Sequence, residues 1–349
     1  SMDRAITAWP FVWTTVWWSA LVACITALLA IPAARVLAAG SLGWVAPVAA
    51  ILAIPPWALF YAIWSLVPPG SWAHDQMLAL AGPGALRAAI LCPVLVAWMW
   101  PVLILCVLPA SRRWDGACAD AMTLDGASRW QLQWSRVRCE WPGLLVGMLV
   151  VFMLTAGCTT AFDLAAILTI SNELRAQAAM GLSAASMMPL MWPLLAGSLV
   201  VAALLWCWST PRPDASPQPP KASQLSLVLT GLIWCLLVAM PMVLLFTLFW
   251  RVVPGPAALG YGLAAWDALW QALIVGLLAA LLCVLGRSIV WRGVWNIFGW
   301  TWLVVAMWPA PYLAILVSSA WRSAAPESMT TSIPWIAALL IRAGALAML

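Results

Sequence analysis

Residues 11–37 read FVWTTVWWSALVACITALLAIPAARVL, with Arg35 the only charged side chain in the run. A helix needs about 20 consecutive apolar residues to cross the hydrocarbon of a bilayer. This run is long enough, and no small-residue cleavage site with a polar mature domain follows it, as a removable leader would require. The same pattern recurs down the chain. Apolar runs bounded by charge, Gly or Pro lie near 44–67, 86–110, 143–162, 186–208, 225–250, 267–286, 294–320 and 333–349, which predicts about nine spans in all. Composition agrees: 65% of the 349 residues are apolar and 8% are charged, against roughly half and a quarter in a soluble domain. Many of the 28 tryptophans stand at the ends of the runs, where an amphipathic ring settles at a bilayer interface. The expected fold class is an all-α, polytopic membrane protein with the lipid bilayer as its surroundings.

Charge narrows the partners. The net +5 is diffuse, with no Lys/Arg run interleaved with aromatics, so a nucleic-acid partner is not expected. Nine cysteines show no C-x-x-C spacing and lie mostly inside apolar runs, as small packing residues do. If the break at 111–142 faces the cytoplasm, the loops on its side hold twice the Arg and Lys of those opposite. That bias predicts a cytoplasmic 111–142 loop and an outward N-terminus.

A second break, 209–224, carries Pro211, Pro213, Pro217, Pro219 and Pro220 and reads as a linker. Across it, residues 15–35 align without gaps to 267–287. Trp18, Ala20, Leu21, Ala27, Leu29 and Arg35 meet identical residues, and Pro56 in LAIPPW matches Pro309 in VAMWPAP. This is the pattern of a tandem duplication in parallel orientation. It divides the chain into a first core over 1–208, the linker, and a partial second core over 225–349.

The break between the third and fourth runs holds a chemical signature. Residues 117–142 read ACADAMTLDGASRWQLQWSRVRCEWP. A short helix is expected over 117–124, ended by Gly126 in a left-handed turn. Ser128 followed by Gln131 is a capping box that opens a second helix. On it Trp130, Trp134 and Val137 share one stripe, flanked by Arg129, Arg136 and Arg138. The expected object is helix, glycine turn, amphipathic helix.

Residues 120–130, DAMTLDGASRW, resemble the coupling loop of type I ABC importer permeases. That signature is an acidic residue, two small ones, three more, a glycine, then commonly Ala-Ser-x-Trp. Asp120 takes the acidic place, Ala121 the first alanine and Gly126 the glycine. Met122 replaces the second alanine, and Arg138-Cys139-Glu140 stands where the family carries Leu-Pro. The tandem arrangement resembles the fused permeases of ferric-iron and thiamine uptake. The resemblance implies a transport subunit of a bacterial inner membrane rather than an enzyme, with a cytoplasmic ABC ATPase dimer and a periplasmic solute-binding protein as partners. It assigns ATPase coupling to Asp120, Ala121, Asp125, Gly126, Ala127, Ser128 and Trp130. A second coupling loop would fall beyond Leu349, so the second core reads as incomplete. The gene product is expected to continue, or to work with a partner permease.

Other chemistry is sparse. No G-x-x-x-x-G-K-[ST] occurs, so ATP phosphates would have to be held by another subunit, and no cofactor is expected. His74, beside Asp75, reads as a solvated loop histidine rather than a metal ligand. Asp163, at the outer end of the fourth run, and Arg342, inside the ninth, are candidates for a substrate path. The competing readings are an interfacial aspartate and a snorkelling arginine. An ion-gradient transporter would want several acids within the spans, which are nearly empty of them. An intramembrane enzyme would need a nucleophile with a base, and Ser19, Ser198 and Ser226 have no His or Asp at helical spacing.

Overall fold

The computed structural model describes residues 2–40, 47–48, 50–54, 56–114, 116–208, 223–252, 304–305 and 307–324, with isolated positions at 270, 274, 277, 278 and 336. Residues 209–222 of the 209–224 linker, Arg342 and, apart from those isolated positions, the repeat partner 267–287 and the ninth run lie outside them. Every regular element among the described residues is helical. In chain order they are α1 (Met2–Ala39), α2 (Pro56–Trp64), α3 (Trp72–Arg112), α4 (Gly116–Leu124), α5 (Arg129–Ala156), α6 (Thr160–Leu164), α7 (Ile170–Ala179), α8 (Ala184–Trp208), α9 (Gln224–Trp234), α10 (Met240–Val252) and α11 (Ala310–Ala324). A π turn, Cys235–Ala239, joins α9 to α10.

Five stretches among the described residues are long and apolar enough to cross a membrane: Trp9–Ala39, Gly82–Arg112, Arg129–Ala156, Ala185–Leu204 and Gln224–Thr247. The chain is a multi-pass helical membrane protein. Four of the stretches fall on the runs expected near 11–37, 86–110, 186–208 and 225–250. The fifth differs from its expected start. The helix does not begin after Pro142 but at Arg129, and passes through that proline without ending. A proline costs a helix one hydrogen bond and a clash with the preceding turn, and in apolar surroundings neighbouring helices compensate.

The run near 44–67 is not one helix. It breaks into a 3-10 turn, Ala50–Ala53, and the nine-residue α2, about 14 Å long at 1.5 Å per residue. The sequence places prolines at 47, 55 and 56; a proline removes a backbone donor and disfavours the α region for the residue before it. The Trp100 indole donates to the Leu29 carbonyl at 3.0 Å, and farther along both helices Arg35 and Ser111 meet at one carboxylate, Glu140. α3 is kinked at Gly82, which has non-helical backbone angles, and α1 and the part of α3 after that kink are therefore parallel.

α5 runs antiparallel to α3, with Gly143 beside Ala110 and Gly147 beside Leu103. Trp100, Met99, Leu95, Val150 and Val151 fill the core between α1, α3 and α5. At the far end, α6 and α7 fold back over α1. The Ile170 amide donates to Thr15 Oγ1 at 3.0 Å, Ser171 Oγ donates to the Ala156 carbonyl at 2.6 Å, and Trp18 meets Phe162 edge-on. α11 docks here too, its Tyr312 hydroxyl 3.4 Å from Met188 Sδ. Outward faces are apolar: Trp9, Trp13 and Trp17 on α1, and Leu225, Val228 and Leu232 on α9, are exposed.

Candidate functional site

α4 and the first turns of α5 form a two-helix hairpin at the end of the bundle where α1 and α3 finish. Its turn is built by local hydrogen bonds. The Gly126 amide donates to the Thr123 carbonyl at 3.1 Å and the Ala127 amide to the Met122 carbonyl at 2.9 Å. This pair of bonds is a Schellman motif with glycine at the left-handed position. Gly126 has φ +82°, and nothing lies within 4 Å of the place a Cβ would occupy. Backbone conformation, not crowding, asks for glycine there.

The next helix is capped as its sequence implies. The Gln131 amide donates to Ser128 Oγ at 3.3 Å, and the Ser128 amide donates to Gln131 Oε1 at 2.7 Å. Two amides that no helical carbonyl can reach are thereby satisfied. The hairpin closes on itself lightly. Ser135 Oγ lies 3.8 Å from Met122 Sδ, so Met122 leans on α5, and α4 has no buried residue at all. Asp120, Ala121, Asp125, Gly126, Ser128 and Trp130 are exposed, and Ala127 is half-buried. Six of the seven residues assigned to the loop are thus open to the surroundings. The aromatic stripe faces outward: Trp130 is 76% exposed, and Trp134 carries the Arg138 guanidinium 5.6 Å over its ring.

At the hairpin's foot lies a cluster that the sequence reading missed. Glu140, its side chain 3% exposed, receives Arg35 Nη2 at 2.7 Å and Arg35 Nε on both oxygens at 3.0 Å. Arg136 Nε and Ser111 Oγ each donate to Glu140 Oε1 at 3.1 Å. Arg35 also reaches Gln133 Oε1 at 3.0 Å. Three helices, α1, α3 and α5, converge on one carboxylate. A signal existed: Glu140 is the only acid between Asp125 and Asp163, and an acid adjoining an apolar run needs a buried cation.

The other candidates lie elsewhere. Asp163 sits at the opposite end of the bundle, in the short helix α6. Arg175 Nη2 stands 2.8 Å from its Oδ2, and Asn172 Nδ2 donates to its Oδ1 at 2.6 Å. His74, also at that end, lies 3.2 Å from Asp75 and edge-on to Trp64. Neither is near the hairpin. No family model, curated protein or solved structure matches this chain.

Proposed function

We propose that this chain is a transmembrane permease subunit of a binding-protein-dependent, type I ABC importer in a bacterial inner membrane. In this reading the 116–141 hairpin faces the cytoplasm and docks on an ABC ATPase. A periplasmic solute-binding protein delivers a small solute, of the ferric-iron or thiamine kind, to the opposite end. The observation that carries it is the hairpin: a Schellman turn at Gly126 and a capping box at Ser128, in register with the acidic-small-x-x-x-x-Gly order of residues 120–126. An exposed helix of small residues suits insertion into a groove, because its backbone can be approached closely. α5 is a single helix of 28 residues running from the hairpin into the core. Displacing the hairpin therefore levers the membrane part of the same helix. The chain itself brings no phosphate-binding loop, so hydrolysis belongs to the docked subunit.

The test is purification of the tagged full chain from its native membrane, followed by ATPase assay in lipid nanodiscs. A co-purifying subunit with nucleotide-dependent hydrolysis is expected. Asp120→Lys combined with Gly126→Val should abolish its capture while leaving the chain monodisperse. Hydrolysis and capture unchanged in that double variant would overturn the reading.

A further inference from the structure

We propose that Glu140 is a positioning residue that ties the hairpin to the first transmembrane helix, so that α1 follows α5 through the Arg35–Glu140 pair. The inference rests on the permease reading only for what moves the hairpin; the linkage itself does not need it. Arg35 grips α5 at two heights, Glu140 at the foot of the hairpin and Gln133 nearly two turns closer to its tip. A planar guanidinium held by two oxygens and an amide on one helix transmits orientation as well as proximity. The other side-chain contacts that bring α1 against α5 are packing contacts of the core, which carry no charge-assisted, directional bond. Separating Arg35 from Glu140 without water would strand charges in a buried site, which is far costlier than moving the two helices together.

The composition of the cluster sharpens this assignment. It holds two arginines and one carboxylate. Arg136 lies four residues before Glu140 on the same helix, so it can neutralise Glu140 but cannot link it to anything. Its Nη2 is buried without a hydrogen-bond partner, so the cluster is not arranged to satisfy every donor of Arg136. Ser111 brings the end of α3 to the same carboxylate with a single bond from an uncharged hydroxyl. Arg35 alone is both charged and on another helix. The mechanical connection runs through it.

The test uses the full chain, made cysteine-free, in lipid nanodiscs with no ATPase present. Nitroxides at Gly40→Cys and Trp134→Cys, both exposed positions, report the distance between the end of α1 and the hairpin by pulsed electron resonance. A narrow distribution is expected for the parent. Arg35→Gln and Glu140→Gln should each broaden it at least about twofold, and the swap Arg35→Glu with Glu140→Arg should narrow it again. A swap as broad as the single variants would show a merely structural role and overturn the proposal. Unchanged widths in both Gln variants would do the same. Should either Gln variant fail to fold, Arg35→Lys keeps the charge and loses the fork. An intermediate width is expected there, and a parental one overturns the linkage. Failure here leaves ATPase docking untouched, and failure to find an ATPase leaves this measurement standing.

Discussion

Gly143 lies against Cys106 so closely that a Cβ on it would stand 3.0 Å from the Cys106 carbonyl oxygen and 3.3 Å from the Val107 Cα. Both are backbone atoms, which cannot swing aside. One turn on, Gly147 repeats the approach, but against the side chains of Cys106 and Leu103. Small residues four apart let α3 and α5 pack backbone to backbone, the usual device where lipid removes any hydrophobic drive between helices.

Gly143→Ala and Gly147→Ala, whose added Cβ would stand 3.0 Å from the Cys106 Cβ, should therefore each destabilise the bundle by about 1–3 kcal/mol through overpacking. Gly231, on the exposed face of α9, has nothing within 4 Å of a Cβ. Gly231→Ala should be neutral, or stabilising by up to about 1 kcal/mol from helix propensity. Thermal melting of the three variants in one detergent checks the order. Equal melting of Gly143→Ala and Gly231→Ala would contradict it.

At Gly126 the cost is conformational. A β-branched residue held at φ +82° pays about 1–2 kcal/mol, and the surrounding space relieves none of it. Gly126→Val should speed amide exchange across 117–128 by about 5- to 30-fold and leave bundle melting unchanged. Gly126→Asn, which tolerates the left-handed region better, should fall between. Exchange that ignores all three residues would mean that another contact holds the turn.

Thr15 ties the far end together, accepting from the buried Ile170 amide at 3.0 Å while donating to the Phe11 carbonyl at 2.6 Å. Thr15→Val keeps the shape and leaves the Ile170 amide unsatisfied, which costs about 1–3 kcal/mol. Thr15→Ser should retain most of the stability. Denaturation midpoints with amide exchange at Ile170 read the difference, and a Val variant equal to Ser would show that this bond contributes nothing.

Asp75, ahead of the α3 kink at Gly82 and next to His74, which packs edge-on against Trp64 of α2, and Ser128, in the hairpin, lie toward opposite ends of the bundle. Asp75→Cys and Ser128→Cys in a cysteine-free background should react with membrane-impermeant thiol reagents from opposite sides. Labelling of both from one side would require a different path for residues 40–71.

Much of this architecture was legible locally. The lengths of the apolar runs announced helices because a backbone in lipid must satisfy its own hydrogen bonds. Four of the described stretches fall where those runs lie. The hairpin was equally legible, since its turn and cap involve only residues 119–131, and Gly126, Ser128 and Gln131 do what their types do anywhere. Proline effects were less so: Pro47, Pro55 and Pro56 divide one run, whereas Pro142 does not interrupt another. A proline's cost depends on which neighbours re-satisfy the backbone around it.

The residues of the chain by themselves determined an all-helical membrane protein with a capped, glycine-turned hairpin, because those features arise from contacts within a few residues. Only the tertiary structure decided that Arg35, which the sequence shows merely as the end of a run, meets Glu140 from 105 positions away. Only it decided that Asp163 spends its carboxylate on Asn172 and Arg175. A buried charge takes its partner from whichever helix lies beside it, and adjacency and direction of helices are not written in any one stretch of sequence.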